Sequence, residues 1–260
     1  MKKLLLPTLT LLLGIIAFKA QAQKDVYTVS SGEIIFSQSQ ASLSQEFLNN
    51  YGGAAIVGQN VRFTCFFHIG QYLHIDMSDR LGFFTGLGIR NVGMITHEKL
   101  PNLGGNAIDG YNPGDDYTNY NIVKRQYTLG LPLALKLGSF SKHFYFFGGA
   151  EIEWAFNYKQ KYWTDQNFDR SGDKVKFNDW FATQTDAFLP SVFGGVQFPG
   201  GMNLRFKYYL NDFLNQSYGK ELNTSVTKAY NVGDLSRYSS SQLFYVSLCV
   251  QLENRKIRKD

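Results

Sequence analysis

Phe144-Tyr145-Phe146-Phe147-Gly148-Gly149-Ala150-Glu151-Ile152-Glu153-Trp154-Ala155-Phe156-Asn157-Tyr158 splits into two unlike sets when alternate residues are separated. One set is Phe144, Phe146, Gly148, Ala150, Ile152, Trp154, Phe156 and Tyr158, with no charge. The other is Tyr145, Phe147, Gly149, Glu151, Glu153, Ala155 and Asn157. A period of two belongs to a β-strand, whose side chains point alternately to opposite faces. The run is longer than the usual strand of about five or six residues. It also exceeds the roughly nine to eleven that a tilted strand needs to cross a bilayer.

The same pattern recurs on both sides of this stretch. Upstream, Tyr127, Leu129, Leu131, Leu133, Leu135 and Leu137 alternate with Thr128, Gly130, Pro132, Ala134 and Lys136. Earlier still, Val61, Phe63, Cys65, Phe67, Ile69, Gln71, Leu73 and Ile75 alternate with Arg62, Thr64, Phe66, His68, Gly70, Tyr72 and His74. The same phase puts Phe83, Leu87, Ile89, Val192, Val196, Leu204, Phe206, Phe244, Val246 and Leu248 on the apolar face. No charge falls there. The charges Arg62, Arg90, Lys136, Glu151, Glu153, Arg205 and Lys207 all fall on the other face, with Gly86, Gly88, Gly130, Gly149 and Gly195. A soluble sandwich needs a water-ready outer face on several strands, which these segments lack. A narrow barrel with lipid outside and a small-residue interior accounts for both faces.

Connections alternate between short and long. Strands are expected at 32–37, 61–76, 81–95, 122–138, 143–163, 184–198, 202–218 and 238–252. The short turns are Met77-Ser78-Asp79-Arg80, Ser139-Phe140-Ser141-Lys142 and Pro199-Gly200-Gly201; the long polar connections include 97–121. Bacterial barrels have an even strand number, short periplasmic turns and long extracellular loops. The expectation is an all-β, antiparallel, transmembrane up-and-down β-barrel of eight strands, with both ends in the periplasm. Pro132 and Pro190 must then sit at bulges or strand ends, since a closed barrel has no free edge.

Residues 1–22 read as a cleaved signal peptide: Lys2-Lys3, an apolar stretch from Leu4 to Phe18, and Ala20-Gln21-Ala22 before the cut. The stretch is too short for a spanning helix, and no cysteine stands near the cut to carry a lipid anchor. Residues 23–252 form one barrel domain, and 253–260 a basic periplasmic tail. The formal charge of +5 includes Lys2, Lys3 and Lys19 of the leader. The remaining chain is close to neutral and lacks the basic stripe of a nucleic-acid binder. Cys65 and Cys249 fall on opposite faces of strands separated by the first, so they are expected not to pair.

The leader ending Ala20-Gln21-Ala22-Gln23, the strand Gly32-Glu33-Ile34-Ile35-Phe36-Ser37 and the stretch Tyr127-Thr128-Leu129-Gly130-Leu131-Pro132-Leu133-Ala134-Leu135-Lys136 resemble outer-membrane β-barrel domain proteins of the PorT-like kind. The resemblance covers most of the mature chain and implies location in the bacterial outer membrane and the barrel fold. PorT-like proteins are associated with protein secretion across the envelope, a role no residue here carries over. The chain departs from the common barrel ending, a terminal aromatic, by running on from Leu252 to Asp260.

Little in the sequence points to chemistry. No Gly-x-Ser-x-Gly elbow occurs, and His68, His74, His97 and His143 stand apart from any Ser and acid cluster. Asp165, Asn167, Asp169, Ser171 and Asp173 have the spacing of calcium-loop ligands, but Arg170 and Lys176 replace the turn glycine and the last Glu. No catalytic residue, cofactor or metal is expected. The expected partners are outer-membrane lipid and, through the loops, envelope proteins or extracellular ligands. The inward charges suggest a network in which Glu151 and Glu153 pair with Arg90 and others of Arg62, Lys136, Arg205 and Lys207. With Phe66, Phe84, Tyr145, Phe147 and Phe193 it would close the pore. The expected role is structural or surface interaction; the alternatives are a narrow channel, a ligand-binding barrel or, less so, a lipid-modifying enzyme.

Overall fold

The computed structural model describes residues 25–66, 68–101, 117–164, 167–168, 170–171, 174–219 and 234–258. The leader at 1–22 lies outside them.

Eleven strands and one short helix, α1 (Gln45–Asn50), form the described chain. The strands are β1 (Asp25–Leu43), β2 (Ala55–Asn60), β3 (Arg62–Thr64), β4 (Ile69–Asp76), β5 (Leu81–Pro101), β6 (Tyr117–Ser139), β7 (Phe144–Thr164), β8 (Lys174–Trp180), β9 (Phe188–Gln197), β10 (Met202–Tyr209) and β11 (Tyr238–Arg258). All pairings are antiparallel. Neighbours follow the chain from β4 through β5, β6, β7, β9 and β10 to β11, and β11 closes the ring on β1 along its whole length. The wall has eight staves, because β2, β3 and β4 together make one broken stave: β4 bridges β1 to β5, β3 pairs only β1, and β2 pairs only β5. β8 is an addition, folded back on the far half of β7 beyond the part that pairs with β9.

Polarity is turned inside out relative to a soluble domain. Leu131, Leu133, Leu135, Leu137, Phe144, Phe146, Ile152, Trp154, Leu204 and Phe206 are exposed, while Arg90, Lys136, Glu151, Glu153, Arg205 and Lys207 are buried. Water would penalise so large an apolar surface; lipid does not. The chain is a transmembrane barrel of eight staves. Among the described residues no helix is long and apolar enough to cross a membrane, so strands make the crossing. On β7, Phe144 and Phe146 mark one rim of the apolar band and Trp154 the other. Ten residues at about 3.3 Å each, tilted by about 40°, give roughly 25 Å, the height of such a band.

Several strands run past their expected ends. β1 spans nineteen residues rather than six. β5 and β6 extend to twenty-one and twenty-three residues, into the stretch read as a long loop between 97 and 121, while β7 keeps its expected span. β11 continues beyond Leu252 to Arg258, pairing with Val26. β10, by contrast, stops at Tyr209 rather than 218. The apolar phase also fails at one point: Tyr158, expected outside, is fully buried. A bulge is the cause. Thr128 pairs with Ala155 while Tyr127 pairs with Asn157, leaving Phe156 as an extra residue that flips the parity beyond it.

The prolines sit where a closed wall tolerates them. Pro190 is the third residue of β9, at the end of its ladder with β10, and its carbonyl accepts from Leu210 N at 2.9 Å. Pro132, by contrast, is at neither a bulge nor a strand end: it stands in the middle of β6, where the β5–β6 ladder keeps its register but leaves a gap, with Gly86 and Leu87 unpaired. There the Thr85 hydroxyl donates to the Pro132 carbonyl at 2.7 Å, satisfying a group the ladder leaves over. A Cβ on Gly86 would collide with the Gln71 carbonyl, so the gap requires glycine.

Candidate functional site

β5 passes through every layer of the lumen. Starting from the short-turn end, its inward side chains include Phe84, Arg90, Val92, Met94, Glu98 and Leu100, and each belongs to a different kind of cluster or to the next one up. Phe84 packs with Tyr72, Ala134, Tyr145, Phe147 and Phe193 in an aromatic plug. Val92 and Met94 join Ile35, Leu189, Tyr209, Phe213 and Tyr245 in a second apolar layer. Leu100 packs with Ile122 under Phe47 and Tyr51, which the α1 segment contributes.

Between the first two layers lies a set of three carboxylates and three cations. Arg90 binds Glu151 through Nη1 and Glu33 through Nε at 3.1 Å, and its Nη1 is 3.6 Å from Glu153. Lys207 binds Glu151 at 2.9 Å and also Glu153. Arg205 lies 3.6 Å from Glu33 and its guanidinium rests over the Phe147 and Phe193 rings, which ties the charges to the plug below. Neutral groups fill the remaining positions. Thr128 Oγ1 donates to Glu153 at 2.7 Å, Tyr209 Oη to the same oxygen at 3.0 Å, and Arg90 Nη2 donates to Tyr72 Oη at 3.0 Å. Ser247 donates to Glu33. None of the six charged side chains is more than 5% exposed. Isolated buried charges are penalised by several kcal/mol each, so a set whose charges balance is favoured here, even though Arg205 Nε is buried without an acceptor.

Two further ion clusters bracket this one. At the short-turn end Lys136 binds Asp76 and donates to Tyr27 Oη at 3.1 Å, beside His74 Nδ1 at 3.2 Å. Above the membrane band Glu98 receives Arg237 at 3.0 Å, Lys124 at 3.4 Å and the Tyr238 hydroxyl. Burial pushes the Glu98 carboxyl up, but Arg237 and Lys124 outweigh it and hold the group at about 2. Burial likewise takes the Lys124 ammonium down to about 8 against the pull of Glu98.

Of the charges singled out in the sequence, Glu151, Glu153, Arg90, Arg205 and Lys207 come together. Lys136 lies a layer away on Asp76. Arg62 does not enter the lumen network: it fills the break in the broken stave, donating to Asn91 O at 2.9 Å and Asn91 Oδ1 at 2.7 Å. Phe66 is not in the plug either, being largely exposed at the same break. Sequence reasoning missed Glu33, Asp76, Glu98, Lys124 and Arg237. Glu33 had a signal, since Ser31, Glu33, Ser37 and Ser39 share one parity while Ile34 and Phe36 hold the other. Glu98 and Arg237 had none, because both fall in stretches read as loops.

The histidines are dispersed. His68 contacts Thr64 Oγ1 and the Asn91 amide, His74 stacks on Phe84, and His97 stacks on Phe168. Cys65 is exposed and Cys249 buried, and neither is in a disulfide. Asp165, Asp169 and Asp173 of the calcium-like spacing lie outside the described residues.

No family model matches the chain, and no curated protein matches it. Solved structures match in shape. The attachment invasion locus protein Ail of Yersinia pestis is similar over 89% of this chain and 100% of its own, at 8% identity and a TM-score of 0.31. The outer membrane protein OprG of Pseudomonas aeruginosa is similar over 90% of this chain and 98% of its own, at 9% identity and a TM-score of 0.34. At that likeness neither protein's role passes to this chain, whose barrel stands on its own closed ladder.

Proposed function

We propose that this chain is a bacterial outer-membrane protein with a sealed lumen, acting as a structural or surface-interaction module through its long-loop end. The short turns and both described ends then face the periplasm, and the projecting parts of β5, β6 and β7 with β8 face outward. The observation that carries the reading is the six-charge set around Arg90. Its charges stand on four of the eight staves and its neutral partners Tyr72, Thr128 and Ser247 on three more; it closes on itself without net charge and is screened from water by apolar layers on both sides. An eight-stave lumen is narrow to begin with, and a permeating ion would have to part these pairs. Partners are envelope proteins or extracellular ligands met by the loops, and lipid around the wall.

Planar-bilayer recording of the purified barrel tests this. The wild type is expected to stay at baseline current. Steady conductance steps from the wild type would overturn the sealed lumen and favour the narrow channel.

A further inference from the structure

The break in the broken stave opens a cavity of about 420 Å³ on the outer surface of the wall, over β5, β6 and β7. Its floor includes Ile95 and Val123, its cationic side Arg62, Arg125, Lys161 and Arg170, and its flap Phe63, Cys65 and Phe66. Among the described residues no carboxylate lines it.

Three observations say the cavity is short of an anion. Arg62 is buried, yet its two hydrogen-bond partners on Asn91 are neutral. Arg125 Nε is out of contact with water and has no acceptor. The ladder also sets like charges directly opposite one another, Arg125 against Lys159 and Lys161 against Lys176. Facing like charges destabilise a sheet, and a buried guanidinium N–H without an acceptor is penalised as well. An anion in the cavity relieves all three.

The surroundings say what kind of anion. Tyr127 lines the cavity and pairs with Asn157, which pairs with the exposed Trp180, so the site begins at the aromatic belt that marks a lipid–water boundary. Phe63 and Phe66 are 60% and 72% exposed beside it. Guanidinium groups match phosphate oxygens in bidentate geometry, and exposed aromatics at that depth suit acyl chains. We propose that this cavity binds the phosphate headgroup of an anionic lipid in the leaflet at the long-loop end, with the lipid's chains lying against Phe63 and Phe66. The site is on the outside of the wall and does not depend on the lumen being sealed.

Cys65 reports on occupancy, because it lines the cavity and is the exposed one of two free thiols. The full barrel is folded in neutral detergent micelles, and Cys65 alkylation by a maleimide is followed by mass. Phosphatidic acid in the micelles is expected to slow the reaction several-fold, and diacylglycerol with the same chains to leave it unchanged. Inorganic phosphate alone is expected to protect far less. The double variant Arg125→Gln, Lys161→Gln should lose the protection while keeping its rate in neutral micelles, with folding checked by its heat-dependent migration in SDS. Protection by diacylglycerol equal to that by phosphatidic acid, or protection surviving in the double variant, would overturn the anionic site. Equal protection by inorganic phosphate would overturn the lipid as its source.

Discussion

The membrane-embedded half of the barrel and the half standing above it treat charge differently. Within the apolar band the described charges face inward, and three carboxylates answer three cations around Arg90. Above it, β6, β7 and β8 turn Arg125, Lys159, Lys161 and Lys176 outward, several opposite one another. Inside that upper half, among the described residues, Glu98 meets two cations, Arg237 and Lys124. Lipid forces the difference. A charge on the outer face within the band would stand in hydrocarbon, so each must turn inward and find a partner. Above the band water or a headgroup accepts the surplus, and the sequence is free to carry it.

The largest expected effect is on the embedded half. Glu151→Ala leaves Arg90 and Lys207 short of acceptors in a site closed to water, and removing one member of a buried pair typically destabilises by about 3–5 kcal/mol. Urea unfolding of the barrel in vesicles should show a loss of that size. The same measurement on Arg125→Gln, Lys161→Gln should show no loss, since that change removes repulsion. An equal loss in both would mean that the two halves do not differ in this way.

That division also explains how much of the molecule was legible in the sequence. Period two is strict from Leu129 to Leu137 and from Phe144 to Trp154, because lipid outside and a narrow lumen inside act on alternate residues together. The inward parity of Glu151, Glu153, Arg90, Arg205 and Lys207 could be read from it directly. Above the belt only one face is constrained. There the Phe156 bulge resets the parity, β8 is too polar to stand out, and Glu98 and Arg237 look like loop residues. Arg62 and Phe66 misled for a related reason: their stave is broken, with β3 pairing β1 but not β5, so Arg62 fills the break and Phe66 stands exposed beside it.

A smaller effect, dependent on pH, is expected from Glu98. Its carboxyl titrates at about 2 in the fold and near 4.5 when unfolded. Between those values the unfolded chain binds the extra proton, so stability rises with pH across the window. Glu98 thus stabilises the upper half fully above about 4.5, and the contribution fades as pH falls through about 2. Lys124 works on the alkaline side. The fold disfavours its charged form, which titrates at about 8 rather than 10.5, so that penalty is present below 8 and lifts as pH rises to 10.5. Amide exchange at Thr96, Glu98 and Tyr238 should be faster in Glu98→Gln than in the wild type at neutral pH, and the gap should close as the wild type is taken to pH 2. A gap that stayed constant with pH would mean that Glu98 acts by packing alone.

The smallest effect needs no change in stability at all. Cys65 and Cys249 sample the two regimes within a short distance: Cys249 pairs with Glu33 across the ladder, and Thr64, next to Cys65, pairs with Ile35 on the same strand. Cys249 points into the lumen beside Ser247, with no exposed surface, whereas Cys65 sits at the break in the wall. Since β1 separates their strands and their side chains face opposite ways, disulfide geometry is out of reach, and reduction should leave the mass unchanged. A water-soluble maleimide should therefore modify one thiol of the folded barrel and both after unfolding, with Cys65→Ser abolishing the fast site. Modification of Cys249 at a comparable rate in the folded protein would mean that water reaches the layer of Glu33 and Arg90, and the contrast between a dry, paired lower lumen and an open upper wall would fail where it is most sharply drawn.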